Sequence, residues 1–183
     1  AAPLISTLDA DDYMFPLKLA REVEALADAP MAVAYSQVEY VRFGQPALWS
    51  YEDLEGLDKF GMIGSIAGRR HRIPRDMTFS RALYDRTRGF DGLLRMYEDW
   101  AFKIELAGVA ARWINTGDLG MRYEHAATGA SAAGPGKHIF FLHAAFLKNA
   151  DMLTLQLQGD ALHCLADAIA PFGPSPAVRE GLR

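Results

Sequence analysis

Residues 4–16 read LISTLDADDYMFP, in which a short apolar run ends in three carboxylates within four positions. The run at residues 4–8 contains β-branched members and is typical of a short buried strand, with Asp9 at its carboxyl end. Pro16 suits the first turn of a helix, and residues 28–30 (DAP) would end that helix. The apolar positions expected to form its buried face are Leu17, Leu19, Ala20, Val23, Leu26 and Ala27.

The rest of the chain shows the same alternation of strand and helix patterns. Segments with alternating or β-branched residues predict strands, helical spacing predicts helices, and Gly, Pro and Asp clusters separate them. The predicted elements are a strand at 31–43, a loop at 44–51, a short helix within 51–66, a strand at 77–80, a short helix at 80–85, a helix at 97–107 ended by Gly108, two strands at 110–115 and 119–124 across a turn at 116–118, and two helices reaching about residue 170.

This order of elements predicts an α/β fold with a mixed sheet flanked by helices. We assign residues 1–134 to the α/β domain and residues 135–183 to a C-terminal helical extension. The chain has no internal repeat. Its 183 residues, half of them hydrophobic, are enough for one sizeable core.

Composition excludes several classes of function. The net charge of −4 gives no overall basic field, so we expect no nucleic-acid partner. Cys164 is the single cysteine and suits a reducing compartment, which favours a cytoplasmic location. The longest apolar stretch, residues 139–147, falls well short of the roughly 20 residues of a membrane span. Its apolar residues leave two alternatives open, packing against the domain or contact with a membrane surface or a second copy.

The acidic cluster after the first strand has two interpretations. Ligands of open α/β sheets bind at the carboxyl ends of strands, where Asp9 and Asp11 would lie. A hard divalent cation such as Mg²⁺ or Mn²⁺ takes oxygen ligands and would turn the mutual repulsion of these carboxylates into attraction. The alternative is a solvated turn whose aspartates cap the following helix.

A second acidic pair, Glu98 and Asp99, opens the helix predicted at 97–107. The helix dipole favours negative charge in a first turn, which is a sufficient structural reason for both residues. The functional alternative is a carboxylate held at the mouth of a cleft, where it could accept a proton from a hydroxyl nucleophile.

Four segments taken in order resemble the inverting glycosyltransferases of family two, which have the GT-A fold. The stretch LDADDYMFP resembles the DxD segment of that family. Residues 78–91 (TFSRALYDRTRGFD) resemble its segment ending in Gly-Gly-Phe-Asp, with Arg88 in place of the first glycine. Residues 97–100 (YEDW) resemble its Glu-Asp-Trp motif, and residues 121–131 (MRYEHAATGAS) resemble its arginine–tyrosine strand and the following His/Ser loop.

The resemblance implies a role for each matching residue. Asp9 would face the ribose or sugar side of a nucleotide-diphosphate sugar donor, and Asp11 would bind Mg²⁺ or Mn²⁺, with Asp12 in support. Asp99 would be the general base that deprotonates the acceptor hydroxyl, and Glu98 would position a sugar. The two further residues, implied as donor and metal ligands respectively, are Arg122 and His125.

The resemblance also implies partners and a departure from the family. The acceptor would be a saccharide or a lipid-linked molecule, with peripheral contact at the inner face of a membrane and self-association left open. The nucleotide-binding strands that begin such domains do not precede Ala1, so we expect the chain to be the later part of a longer protein. Two alternatives stay open: a non-catalytic remnant acting as an interaction module, and a metal-dependent phosphatase or nucleotide hydrolase.

Overall fold

The computed structural model describes residues 3–42, 45–49, 54, 56–69, 76–125 and 133–172. Within these residues the chain forms a six-stranded mixed sheet and seven α-helices, which confirms the α/β class. The strands are β1 Leu4–Ser6, β2 Tyr13–Met14, β3 Ala32–Arg42, β4 Gln45–Trp49, β5 Met77–Ser80 and β6 Arg112–His125. The helices are α1 Lys18–Leu26, α2 Lys59–Ala67, α3 Arg81–Tyr84, α4 Glu98–Val109, α5 Pro135–Lys148, α6 Ala150–Leu157 and α7 Asp160–Ile169, followed by a 3₁₀ turn at Ala170–Phe172.

The sheet has the strand order β1-β5-β3-β6-β2, with β4 paired to β3 outside this path. The pair β3–β6 is parallel, and the pairs β1–β5, β5–β3 and β6–β2 are antiparallel. Strands β1, β3 and β6 therefore run in one direction. We call the edge towards which they run, where β1 ends and β5 begins, the carboxyl edge.

Helices cover both faces of the sheet. On one face α2 and α4 pack over β3 and β6, in a core that contains Tyr35, Phe79 and Trp113 at 0% exposure. The alternate β3 residues Ala32 and Ala34 belong to a smaller cluster under α1 on the other face. The period of two along β3 thus assigns each helix to its face, and each large apolar side chain buried there contributes about 1.5–3 kcal/mol.

The buried face of α1 differs from the sequence expectation. Its buried residues are Lys18, Glu22 and Leu26, whereas Leu17 is 63% exposed and Val23 is 44% exposed. The expectation was right for Leu26 and wrong for Leu17 and Val23, because the sheet presents the hydroxyl groups of Ser36 and Thr78 to α1, and these donate to the Glu22 carboxylate.

The two strands predicted at 110–115 and 119–124 form one continuous strand, β6. Both halves pair with β3 in the same direction, since Tyr35 lies opposite Asn115 and Gln37 lies opposite Leu119. Gly117 adopts a φ of 76°, which makes a local irregularity rather than a chain reversal.

Other boundaries also differ from the predictions. The segment predicted as a loop contains β4, in which Pro46 is tolerated because β3 is the strand's one neighbour among the described residues.

Helix α2 begins at Lys59 because the Asp58 side chain caps the Gly61 N–H at 2.7 Å. Helix α4 passes through Gly108 to Val109. The C-terminal region has three α-helices rather than two, with a break before α7 at Gln158, whose φ is 49°.

The C-terminal helices share the main hydrophobic cluster with the sheet. Leu142 and Phe146 pack into it, as the packing alternative expects, whereas Phe140 and Leu147 are 65% and 70% exposed, and contact with a membrane or a second copy stays a prediction. The division into 1–134 and 135–183 stays a prediction. Across the described residues no helix has the length and apolar character required to cross a bilayer.

Candidate functional site

The acidic corner at residues 9–12 connects β1 to β2 at the carboxyl edge. The Asp12 N–H donates to the Asp9 carbonyl at 3.1 Å, which closes a turn. The Asp9 N–H donates to Oδ1 of Asp76 at 3.2 Å, and Thr7 exchanges hydrogen bonds with Met77 at the start of β5. These contacts fix the corner against β5 while the Asp9 and Asp11 side chains stay exposed.

Asp76 is a residue that the sequence analysis missed. Its side chain is 2% exposed, and it orders the acidic corner through the Asp9 backbone. The signal was weak because one aspartate between a basic stretch and a short strand has no distinctive spacing.

Arg122 lies beside the acidic corner. In the β2–β6 pairing it stands directly opposite Tyr13, two residues after Asp11. Its Nε donates to the Glu39 carboxylate at 2.5 Å, and its guanidinium carbon lies 5.9 Å from the centre of the Phe15 ring. The structure thus places Arg122 on the strand next to the acidic segment, and its donor-binding role stays a prediction.

The sequence predicts Asp9, Asp11 and His125 as metal ligands. Among the described residues no group of three or more His, Cys, Asp or Glu side chains is arranged to hold a metal ion. His125 pairs through its backbone with Arg42 at the end of β6, and its side chain lies outside the described part of the structure. The metal-binding roles of Asp9, Asp11 and His125 therefore stay predictions.

Glu98 and Asp99 occupy the first turn of α4, as predicted. Both are half-buried, and Oδ2 of Asp99 lies 2.8 Å from Nζ of Lys103 one turn later. Lys103 is itself buried, so this ion pair fixes the direction of the Asp99 side chain.

Contacts at both ends of α4 constrain where its first turn lies. At its start, Nε1 of Trp100 donates to the Ile66 carbonyl at 2.8 Å, next to the end of α2. Just beyond its end, the Ala111 N–H donates to the Met31 carbonyl at 2.8 Å, next to the beginning of β3. The far end of α4 therefore lies at the edge opposite the carboxyl edge, and its first turn, which contains Glu98 and Asp99, lies one helix length away from it.

Tyr97 precedes the acidic pair and has a left-handed backbone, with φ 61° and ψ 18°. Its hydroxyl lies 2.8 Å from Nδ1 of His138, and the Arg69 guanidinium carbon lies 5.3 Å from its ring centre. Burial raises the pKa of Tyr97 above its ordinary value of 10.0, Arg69 opposes that rise, and the Asp99 carboxylate adds to it.

Arg88, which replaces a glycine of the resembled motif, connects that motif to α4 and to Asn149, the residue between α5 and α6. Its backbone N–H and its Nε donate to the Glu105 carboxylate at 2.6 and 3.1 Å. Its guanidinium also donates to Oδ1 of Asn149 at 3.0 Å. Lys148 Nζ lies 3.6 Å from Glu105, so the two cations share one buried carboxylate.

The other residues considered as site candidates lie in the core, on the surface or outside the described residues. Trp113 and Cys164 are buried in the core, and His163 is exposed. The basic residues Arg70, His71, Arg72 and Arg75 and the side chain of Trp49 lie outside the described residues. A cavity of about 280 Å³ lies at the opposite edge, between residues 28–32 and 111–112, and none of the predicted site residues lines it.

Comparison with known proteins adds no assignment. No protein-family model matches the sequence. No curated protein matches it significantly. The likeness to family-two glycosyltransferases therefore rests on the motifs and their order.

Proposed function

We propose that the chain is the metal-binding and acceptor side of an inverting glycosyltransferase with a GT-A fold. The observations that support it are the acidic corner at the carboxyl edge and the orientation of α4, which begins with Glu98 and Asp99 and ends at the opposite edge. Inverting transfer requires one acidic group near the leaving diphosphate and another near the attacking hydroxyl. Ligand sites of α/β sheets lie at the carboxyl edge.

The donor set at the acidic corner fits Mg²⁺ or Mn²⁺. Asp9 and Asp11 offer exposed carboxylates on a hydrogen-bonded turn, and Mg²⁺ is commonly held by one or two carboxylates with water and substrate phosphates as its other ligands. Such a site needs no third protein ligand, which agrees with the absence of a three-ligand group among the described residues. When bound, the ion would neutralise charge that builds on the leaving diphosphate.

The residues of α4 would serve the acceptor. The acceptor oxygen forms a bond to the anomeric carbon as the bond to the diphosphate breaks, and the departing nucleoside diphosphate keeps the electron pair. The acceptor proton passes to the Asp99 carboxylate, which Lys103 holds in place. Glu98 would orient a sugar hydroxyl, and Arg122 would contact the donor phosphates.

We place the reaction in the cytoplasm, with a saccharide or a lipid-linked acceptor. The single cysteine is buried, which suits a reducing compartment. Phe140 and Leu147 expose apolar surface on α5 that suits peripheral contact with a membrane or with a second copy.

Titration calorimetry with UDP and Mn²⁺ tests the acidic corner. We expect Mn²⁺-dependent binding that Asp11→Asn weakens at least tenfold. The matched control Asp85→Asn, an exposed aspartate at the end of α3, should leave binding unchanged. Binding that is equally strong without Mn²⁺ and in Asp11→Asn would contradict the proposal.

A second candidate is a non-catalytic module of the same fold. The observation in its favour is the Asp99–Lys103 ion pair, which engages the carboxylate proposed to take the proton. An assay of sugar transfer by the longest form of the protein distinguishes the transferase from the non-catalytic module. Loss of turnover in Asp99→Asn with donor binding intact supports the transferase, and unchanged turnover supports the module. Release of free phosphate without an acceptor would instead identify a hydrolase.

A further inference from the structure

Three side chains surround Tyr97, the residue that precedes the Glu98–Asp99 pair. Tyr97 binds His138 of α5 through its hydroxyl, at 2.8 Å. The His138 ring stacks on Phe172 with 4.5 Å between ring centres and 6° between planes. The Arg69 guanidinium carbon lies 5.3 Å from the Tyr97 ring centre and 5.6 Å from that of Phe172. We call these four residues the Tyr97 clamp.

The backbone of Tyr97 explains why such a clamp is needed. A left-handed conformation is uncommon for a bulky residue other than glycine and persists where surrounding contacts enforce it. Tyr97 also begins α4, because its carbonyl accepts the Ala101 N–H at 2.9 Å. Whatever holds Tyr97 in this conformation therefore sets the direction of the turn that contains Glu98 and Asp99.

The enforcing contacts come from outside α4. His138 and Phe172 belong to the C-terminal helical region, and His138 is only 7% exposed. The half-buried Tyr97 hydroxyl and the buried His138 imidazole are costly to separate, because the imidazole would lose its partner in a place that water reaches poorly. The stack on Phe172 in turn limits rotation of the imidazole.

We propose that His138 is a positioning residue: acting through the Tyr97 hydroxyl, it holds the first turn of α4 and thereby the Glu98–Asp99 pair. The C-terminal helices are then part of the framework of the site. This inference rests on the proposed function for its catalytic meaning, but the mechanical link can be measured without any transfer activity.

Amide hydrogen exchange on the full chain tests the link. The variants Tyr97→Phe and His138→Phe each remove the hydrogen bond while keeping an aromatic ring. We expect exchange at the Ala101 amide to rise about fivefold to tenfold in each, the factor for one hydrogen bond of ordinary strength. The Ala110 amide, which donates to Leu106 at the far end of α4, is the internal control and should not change.

The double variant, Tyr97→Phe with His138→Phe, is a further test. Both changes remove the same hydrogen bond, so exchange at the Ala101 amide should rise no more in the double variant than in either single variant. His143→Phe, on the same helix with its ring bonded to the Ile139 carbonyl, is the matched control and should leave Ala101 protected. Unchanged Ala101 exchange in both single variants would overturn the proposal, and so would an equal rise at Ala110.

The catalytic consequence is measured separately. In the longest active form of the protein, His138→Phe should lower kcat while the KM for the donor stays unchanged, because Asp99 serves the acceptor. A rise in donor KM with kcat unchanged would overturn the positioning role. If the wild type transfers no sugar, the proposed function fails, and the exchange data still decide whether the clamp holds α4.

Discussion

Nζ of Lys18 lies 2.6 Å from Oε2 of Glu22, and both side chains are fully buried between α1 and the sheet. The Glu22 carboxylate also accepts hydrogen bonds from Ser36 of β3 at 2.7 Å and from Thr78 of β5 at 2.6 Å. One carboxylate therefore joins α1 to two strands. Since only β2 and a short turn separate the acidic corner from α1, this network anchors the chain that follows the proposed metal site.

Removal of Glu22 should destabilise the protein strongly. Glu22→Leu leaves the Lys18 ammonium buried without a counter-charge, which costs about 3–5 kcal/mol. Lys18→Met combined with Glu22→Leu should recover most of that loss, since an apolar pair can replace a buried ion pair. Urea unfolding measures the free energy of unfolding of both variants. Glu24→Leu, at the exposed Arg21–Glu24 pair, is the control. A Glu22→Leu protein within about 1 kcal/mol of wild type would refute this role.

Gly120 should not tolerate a side chain. A Cβ there would lie 2.4 Å from Cβ of Ser36 and 3.0 Å from Cγ of Lys18, so β6 or α1 would have to move. The Gly120 carbonyl also accepts the Phe15 N–H, which holds β2 in place. We expect Gly120→Ala to cost about 1–3 kcal/mol in thermal unfolding. Gly136→Ala, with open space around its Cβ, should be neutral or slightly stabilising.

The raised pKa of Tyr97 predicts a specific loss of stability at alkaline pH. The folded protein holds the phenol proton more tightly than the unfolded chain, whose tyrosine titrates at its ordinary value of 10.0. The stabilisation is therefore complete below about pH 10 and disappears as pH rises through the folded pKa. Tyr97→Phe should flatten the decline in unfolding free energy above about pH 10.

Two controls accompany this titration. Tyr13→Phe changes a tyrosine that is 53% exposed and should keep the wild-type decline. Asp99→Asn removes the negative charge that adds to the rise, so the pKa of Tyr97 should fall, as read by ultraviolet absorbance. An Asp99→Asn protein with the wild-type phenol titration would show that the two groups do not interact.

Arg88 should contribute to stability although half of its side chain is exposed. Arg88→Ala removes the guanidinium donors to Glu105 and Asn149, and we expect a cost of about 1–2 kcal/mol. Arg86→Ala, two residues earlier and exposed, is the matched control and should change stability by about 0.5 kcal/mol or less. Equal melting temperatures for the two variants would show that the Arg88 network is not stabilising.

Local patterns in the sequence predicted much of the fold. Strand β3 alternates side chains between two buried faces, and α4 has apolar helical spacing after two acids, so both were identified close to their observed ends. Strand β6 was divided in error because Thr116-Gly117-Asp118 has the composition of a turn. Continued pairing with β3 overrides that local signal, and pairing partners distant in sequence leave no local pattern.

In the candidate site, too, the sequence analysis found local patterns and missed contacts between residues distant in sequence. The acidic segments were found because their residue types and spacing are unusual within a few positions. Lys18, Asp76 and His138 were not assigned to it, since their partners lie on other elements and no short pattern announces them. Helical periodicity left Lys18 and Glu22 out of the expected buried face because it counts apolar residues alone, whereas Ser36 and Thr78 on the sheet bind the Glu22 carboxylate.

Paramagnetic broadening by Mn²⁺ tests most directly whether the two acidic segments share one cleft. With UDP and Mn²⁺ added to the isotopically labelled chain, we predict that the amide signals of residues 9–12 and of residues 97–100 broaden together. Ala111, beyond the far end of α4, should stay sharp, and Asp11→Asn should abolish the effect. Broadening at 9–12 with sharp signals at 97–100, or no broadening at 9–12, would contradict the shared cleft.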